Sequence, residues 1–288
     1  MILNLAYPEK SDIPYKISKF PDGQQTIDVV GNALTGSLLM KIVRIKSRLN
    51  NFKDLELIIC ANQALQNLGA DRIHLFVPYF MGSRSDRRFV DGGINYLKQV
   101  ICPIINSQNF ASVTVLDPHS DVLEACLKNY NKIDNNKLVD YALESLNGRS
   151  SQTAIVSPDA GALKKIFDVA KHFNITNVTT ASKVRNIETG EIVRTELPGI
   201  NLSDIQHILI IDDICDGGRT FIELAKEIKK QTNTPIYLIV THGIFSAGFE
   251  KLSDSLDGIF CTNSYSDVET ELVKVQSRQG NSDFIKHT

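Results

Sequence analysis

Two adjacent carboxylates and a glycine turn lie between an apolar run and an amphipathic segment in the second half of the chain. The run at residues 208–211 is short and rich in isoleucine, which predicts a strand buried on both faces that ends at Asp212 and Asp213. Apolar residues then recur at helical spacing, so we predict a helix that begins near Thr220, with Glu223 completing a capping box.

The turn between the strand and the helix has the composition of an anion site. It consists of Asp216, Gly217, Gly218, Arg219 and Thr220. Backbone N–H groups and the helix dipole both favour negative charge at a helix N-terminus, and phosphate is the natural ligand. Asp212 and Asp213 would repel a phosphate, so we expect them to accept hydrogen bonds from sugar hydroxyls. The pattern therefore indicates a phosphorylated sugar, the alternative being an ordinary solvated turn.

A second candidate loop follows a predicted strand at residues 73–77. Three arginines surround one aspartate in this loop, whose polar residues are Arg84, Ser85, Asp86, Arg87 and Arg88. Clustered guanidinium groups could clamp a polyphosphate through paired hydrogen bonds, with Asp86 orienting one of them. The alternative is a solvated charged loop.

Two further predicted strands end in potential magnesium or phosphate ligands. Asp117 and His119 follow the strand at residues 112–116, and Asp159 follows the strand at residues 153–156. Magnesium prefers oxygen ligands, so His119 would act through water or directly on phosphate. Helix capping is the alternative role for Asp159.

A pair of cations follows the predicted strand at residues 176–180. Alternation in an extended segment places Lys183 and Arg185 on the same side, so both could reach one anionic centre. Residues 188–191 then read as a hairpin turn, and an exposed basic hairpin is the alternative interpretation.

The order of the elements predicts the fold that positions these residues. Apolar strands alternate with polar loops and amphipathic helices, which is typical of a doubly wound α/β fold with ligands at the carboxyl ends of its strands. We place a domain boundary near Asn147, giving domains at residues 1–147 and 148–288.

Composition narrows the class of protein. The 288 residues are 42% hydrophobic and 22% charged, and the net charge of −2 argues against a nucleic-acid surface. Five cysteines without a CxxC pair argue against a zinc site or a disulfide framework. No targeting signal and no run of about 18 apolar residues is found, so we expect a cytoplasmic protein with no membrane partner.

The stretch from Asp212 to Thr220 resembles the phosphoribosyl pyrophosphate (PRPP) loop that phosphoribosyltransferases share with ribose-phosphate pyrophosphokinases. The resemblance implies that Asp212 and Asp213 hold the ribose hydroxyls and that residues 216–220 cradle the 5-phosphate. Arg219 stands where the kinase family usually has glycine.

Other segments are similar to the pyrophosphokinases specifically, and the resemblance assigns each a role. The loop with Arg84, Ser85, Asp86 and Arg87 corresponds to the ATP-binding loop, and His119 lies beside magnesium and the ATP phosphates. Asp159, in "VSPDAG", corresponds to a magnesium ligand. The Lys183-x-Arg185 pair corresponds to a catalytic flap that stabilises the transition state.

Two segments of the resemblance concern assembly and regulation. The stretch Phe20, Pro21, Asp22, Gly23, Gln24 resembles an FSDGE segment that reaches the adenine of ATP in a neighbouring subunit, with Gln24 in place of glutamate. It implies a homo-oligomer, either a dimer or a hexamer. Residues 241–246, "THGIFS", match a segment near a regulatory site of the family.

Taken over nearly the whole chain, the resemblance implies two phosphoribosyltransferase-like domains with mainly parallel sheets. It implies an enzyme that transfers the diphosphoryl group of ATP to ribose 5-phosphate with Mg²⁺, giving PRPP and AMP. Two alternatives remain at this point, a non-catalytic regulatory homologue and a transferase that consumes PRPP.

Overall fold

The chain divides into two compact units, Met1–Asp134 and Asn135–Thr288. The computed structural model describes residues 1–30, 42–185, 192–199, 202–268 and 270–275. The division precedes the boundary predicted near Asn147. The physical reason is a helix, Asn136–Ser145, whose buried residues Leu138 and Val139 pack in a core cluster of the second unit.

The first unit contains a five-stranded parallel sheet with the order β1-β4-β5-β6-β7. Its strands are β1 Ile2–Asn4, β4 Ile42–Lys46, β5 Arg72–Val77, β6 Ser112–Leu116 and β7 Tyr130–Ile133. An antiparallel hairpin of β2 (Tyr15–Lys19) and β3 (Gln25–Val29) lies outside this sheet. The helices are α1 Phe52–Asn67, a π-helical segment Leu97–Ile101 that leads into α2 Cys102–Ser107, α3 Val122–Cys126 and a short 3₁₀ turn, Pro8–Lys10.

The second unit contains a six-stranded parallel sheet with the order β15-β14-β13-β12-β8-β9. Its strands are β8 Thr153–Ser157, β9 Asn177–Thr180, β12 His207–Cys215, β13 Ile236–Gly243, β14 Gly258–Thr262 and β15 Val273–Val275. A hairpin of β10 (Ser182–Arg185) and β11 (Ile192–Glu196) is antiparallel. The helices are α4 Asn136–Ser145, α5 Leu163–His172, α6 Arg219–Lys229, α7 Glu250–Ser253 and a 3₁₀ turn, Ser150–Gln152.

The sheet of the second unit is buried on both faces. Ile208 and Ile210 of β12 belong to one core cluster, together with apolar residues of α6 and α7. Leu209 and Ile211 belong to another, together with residues of α4 and α5. This alternation follows the two-residue period of a strand, and helices cover both faces. The predicted α/β fold with mainly parallel sheets is confirmed.

All five cysteines are free thiols. Burial raises the pKa of Cys102, Cys215 and Cys261 to about 12. Cys60 and Cys126, both in the first unit, are half-buried.

Among the described residues, no helix combines the length and the apolar character needed to cross a membrane.

Candidate active site

The two carboxylates of the second unit lie within β12, not after it. The strand runs to Cys215 because its parallel pairing with β13 continues through Ile214 opposite His242 and Cys215 opposite Gly243. The predicted strand end at Asp212 and Asp213 was therefore wrong. A single sequence run cannot show this extension, since the neighbouring strand supplies the hydrogen bonds.

Cys215, at the end of β12, belongs to a different core cluster from the one that its strand position alone would give. Ile208 and Ile210 pack in one core cluster and Leu209 and Ile211 in the other, so strict alternation would assign Cys215 to the second cluster. Cys215 instead packs with Ile208 and Ile210. The pairing of β12 with β13 keeps the same register from Ile208 to Cys215, so both carboxylates lie within the paired strand.

Asp213 is buried, Asp212 is half-buried, and a lysine of α5 lies near the pair. Asp213 is 5% exposed, and its Oδ1 lies 3.7 Å from Nζ of Lys165 on α5. The backbone N–H of Asp213 donates to Asp212 Oδ1 at 2.9 Å. Burial, followed by the negative charge of Asp213, raises the pKa of Asp212 well above its ordinary value, and the charge of Lys165 opposes this only in part. The pair is a polar site within an apolar sheet.

Lys165 is a site residue that our sequence reasoning missed. It lies in the first turn of α5 beside Lys164, and that turn contains no acidic residue. Cations at a helix N-terminus oppose the helix dipole, so two lysines there need another partner. The unfavourable placement of two lysines at this helix N-terminus was visible in the sequence and could have indicated the site.

The glycine turn after β12 forms the N-terminus of α6 as predicted, but with a different cap. Gly218 has φ of +76° and is the N-cap residue, without a side-chain hydrogen bond. A Cβ atom at this position would lie 2.8 Å from Leu252 Cδ2, so both conformation and space require glycine. The predicted capping box of Thr220 and Glu223 was wrong, because the helix begins one residue earlier, at Arg219.

Arg219 lies at the exposed start of α6. Its Nε donates to Glu223 Oε1 at 2.7 Å, one helical turn away. Glu223 thus orients the guanidinium group of Arg219 instead of capping the helix.

Asp159 shapes the turn that follows β8. Its Oδ1 accepts hydrogen bonds from the backbone N–H groups of Gly161 and Ala162, at 3.0 and 3.2 Å. The Ser157 hydroxyl donates to the Asp159 carbonyl at 2.7 Å. These hydrogen bonds shape the turn before α5, whose N-cap residue is Ala162, so Asp159 is not the helix cap that the alternative interpretation predicted.

In the first unit, Asp86 lies at the centre of the arginine loop after β5. It is 3% exposed, and Arg87 Nε donates to its Oδ1 at 2.9 Å. Burial raises the pKa of Asp86, but the Arg87 hydrogen bond, the neighbouring Ser120 hydroxyl and the positive charges of Arg87 and His119 outweigh it, so the pKa lies below its ordinary value. The buried carboxylate of Asp86 therefore helps to hold the loop in place through its hydrogen bond with Arg87.

The helix that follows supports this loop. The Asn95 side-chain amide donates to the Asp86 carbonyl, and the Leu97 N–H donates to the Ser85 carbonyl at 3.1 Å. A Cβ atom at Gly82 would lie 2.6 Å from the ring of Tyr96, so the loop backbone packs directly on that side chain. The start of the helical segment at Leu97 therefore holds Ser85 and its neighbours in place.

The strand end with Asp117 and His119 adjoins the arginine loop. The Leu116 N–H donates to the Pro78 carbonyl at 3.1 Å, which joins the ends of β6 and β5. Asp117 is 1% exposed with φ of +41°, whereas His119 is exposed. His119 is near enough to act on the pKa of Asp86, so the fold brings these predicted residues together.

The Phe20–Gln24 stretch forms the tip of the β2–β3 hairpin. The Phe20 N–H donates to the Gln24 carbonyl, and the Gln24 N–H donates to Asp22 Oδ1 at 3.1 Å. Phe20 is 51% exposed. The tip is a hydrogen-bonded turn of the first unit with the Phe20 ring exposed.

Lys183 and Arg185 lie on β10, which pairs antiparallel with β11 with a register shift between Val184 and Arg185. Their side chains lie outside the described part of the structure, as does the turn predicted at residues 188–191. The backbone of Lys183 and Arg185 therefore forms one strand of the predicted hairpin.

The described residues contain no group of three or more His, Cys, Asp or Glu side chains able to hold a metal ion. Magnesium in phosphoryl-transfer sites is typically held by one or two carboxylates and by the substrate phosphates. The Asp159 carboxylate offers the oxygen donors that such an ion prefers, so its chemistry fits magnesium.

Comparisons with known proteins give one family and one fold. A model of the phosphoribosyl transferase domain matches residues 128–281. The chain is 24% identical over 261 residues to a ribose-phosphate pyrophosphokinase of Pasteurella multocida, covering 86% of this chain and 78% of the relative. It is 26% identical over 256 residues to one of Thermococcus kodakarensis, covering 86% of this chain and 85% of the relative.

A solved structure extends the likeness of fold to both units. The crystal structure of phosphoribosylpyrophosphate synthetase from Mycobacterium smegmatis superposes with a TM-score of 0.78 at 16% identity, covering 96% of this chain and 93% of that one.

We predict that Asp212→Asn stabilises the protein at neutral pH. A carboxyl whose pKa is raised on folding destabilises the folded state once pH exceeds its unfolded pKa, and the neutral amide avoids this cost. The free energy of unfolding should rise by on the order of 1 kcal/mol or more at pH 7. The difference should vanish below about pH 4, where the carboxyl is protonated in both states.

Denaturant titrations followed by circular dichroism at the two pH values measure this difference. Asp168→Asn, at an exposed carboxyl on α5, is the matched control and should give no such pH-dependent gain. An Asp212→Asn protein less stable than the parent at pH 7 would contradict the prediction.

Proposed function

The chain belongs to the phosphoribosyl transferase domain family, and from this premise we propose that it is a ribose-phosphate pyrophosphokinase. It transfers the diphosphoryl group of ATP to the C1 hydroxyl of ribose 5-phosphate, giving PRPP and AMP. The curated relatives with this name align with 86% of the chain, which includes parts of both units.

One observation favours this activity over a transferase that consumes PRPP. The first unit contains an ordered arginine loop in which buried Asp86 holds Arg87 and Asn95 holds the backbone. A transferase acting on PRPP and a base has no evident use for it, whereas ATP needs a polyphosphate clamp. We assign Arg84, Ser85, Asp86, Arg87 and His119 to ATP, and the hairpin-tip residues Phe20, Asp22 and Gln24 to its adenine.

The second unit contains the proposed binding site for the acceptor, ribose 5-phosphate. Asp212 and Asp213 accept hydrogen bonds from the ribose hydroxyls, and the turn at residues 216–220 binds the 5-phosphate at the N-terminus of α6. Lys165 limits the electrostatic repulsion between the carboxylates in the absence of a ligand. The turn and the carboxylates together select a phosphorylated sugar.

The reaction is in-line attack on phosphorus. The C1 hydroxyl oxygen forms a bond to the β-phosphorus of ATP and its proton passes to solvent, while the bond from that phosphorus to the α,β-bridging oxygen breaks and AMP leaves with that oxygen. His119 in the first unit and Asp159 in the second are each proposed as a residue that would hold magnesium, which would neutralise phosphate charge. Alignment and charge neutralisation by Lys183 and Arg185 supply the rest, so no covalent nucleophile is required.

We expect AMP and PRPP to form in equal amounts when the protein is incubated with ATP, MgCl₂ and ribose 5-phosphate. Chromatography of the nucleotides and an enzymatic assay for PRPP measure the two products. Omission of ribose 5-phosphate is the control and should abolish both. ATP binding without AMP formation would indicate a regulatory homologue, and consumption of added PRPP with a base would indicate a transferase.

Lys183→Ala should lower kcat by roughly 10²- to 10³-fold, which corresponds to about 3 to 4 kcal/mol, with little change in either KM. Charge shifts toward the leaving AMP oxygen during the reaction, so a cation there stabilises the transition state more than the bound substrates. Steady-state kinetics measures the effect. Lys230→Ala, at the exposed end of α6, is the control, and near-normal kcat in Lys183→Ala would show that the β10–β11 hairpin is not catalytic.

We also propose that the active form is a homo-oligomer, a dimer or a hexamer, in which the Phe20–Gln24 tip reaches the ATP of a neighbouring subunit. The resemblance of this segment to one that reaches the ATP of a neighbouring subunit supports the proposal. Light scattering at the assay concentration should give a multiple of the 32.0 kDa chain mass. A fully active monomer would overturn it.

A further inference from the structure

Residues 241–246, which resemble a segment near a regulatory site of the family, contact the end of β12. The backbone N–H groups of Ile244 and Phe245 both donate to the Cys215 carbonyl, at 2.8 and 3.1 Å. Phe245 has φ of +50°, and a Cβ atom at Gly243 would lie 2.1 Å from the Phe245 ring. The "THGIFS" segment therefore turns sharply onto the residue that precedes the phosphate turn.

This turn directs one side chain to the phosphate turn itself. The Ser246 hydroxyl donates to Asp216 Oδ1 at 2.5 Å. A Cβ atom built at Gly217 would lie 3.9 Å from Ser246 Oγ and 3.9 Å from Ala247 Cβ, so Ser246 also lines the side of the turn. Ser246 comes from a loop 30 residues further along the chain, outside the predicted site.

We propose that Ser246 is a positioning residue for the 5-phosphate of the sugar, an inference that rests on the proposed function. Asp216 carries a carboxylate in a turn that binds an anion, where a mobile negative charge would compete with phosphate for the backbone N–H donors. The Ser246 hydroxyl holds one carboxylate oxygen and compensates part of its charge. The carboxylate is thereby kept in one orientation and away from the anion position.

The matched pair Ser246→Thr and Ser246→Val tests this role, because the two side chains have the same shape and differ by a hydroxyl. Ser246→Thr should behave as the parent. Ser246→Val should raise KM for ribose 5-phosphate roughly tenfold, as expected for the loss of one hydrogen bond to a charged group, with kcat and KM for ATP within about twofold of the parent.

A double variant distinguishes this charge effect from simple loss of packing. With Asp216→Asn in the background, the added loss from Ser246→Val should fall to about twofold or less, since there is no carboxylate left to restrain. Ser253→Ala, which removes another exposed serine hydroxyl in the same unit, is the control and should leave all three constants unchanged.

Isothermal titration of ribose 5-phosphate separates this inference from the proposed activity, because it reads binding without turnover. Weaker binding to Ser246→Val in a protein that forms no PRPP would refute the activity and retain the role of Ser246. Equal affinity of the Thr and Val variants, or an equal loss in both, would overturn the role of Ser246.

Discussion

Parallel strand pairing is the constraint on which both candidate sites depend. In the second unit β8, β12 and β13 run in the same direction, so their carboxyl ends meet at one edge of the sheet. The loops that leave this edge contain Asp159, the phosphate turn and Ser246. In the first unit the ends of β5 and β6 are joined in the same way, and the arginine loop and His119 follow them. Burial of the apolar strands therefore fixes the positions of the polar loops at their carboxyl ends.

The site residues of the second unit carry an electrostatic cost that the rest of the unit tolerates. Two neighbouring carboxylates within a buried sheet are unfavourable because both lose hydration and repel each other. Lys165 and the backbone N–H of Asp213 reduce this cost without removing it. The large apolar clusters on both faces of the sheet supply the stability that makes such a site possible.

Local patterns in the sequence predicted the buried strands, the loop that contains Asp86 and the glycine turn before α6, although β12 extends past the predicted end at Asp212 and Asp213. These depend on apolar period and on turn composition, which a short stretch contains in full. The start of α6 at Arg219 was missed, because Leu252, more than thirty residues away, leaves room only for glycine at the N-cap. The Ser246 contact was missed for the same reason, since it depends on which strands are neighbours.

The boundary between the units illustrates a related limit. The glycine and serine residues near Asn147 favour a linker, yet the helix before them packs on the second sheet, so the division falls at Asp134. Composition describes a segment, whereas a boundary depends on what the segment contacts.

The two units differ in how accessible their cysteine thiols are to a reagent. Both cysteines of the second unit, Cys215 and Cys261, are buried with pKa values of about 12, and they remain almost wholly protonated at neutral pH. The half-buried thiols, Cys60 and Cys126, both belong to the first unit. A maleimide dye under native conditions should therefore label the first unit in preference to the second, and leave the thiol beside the sugar-phosphate turn unmodified.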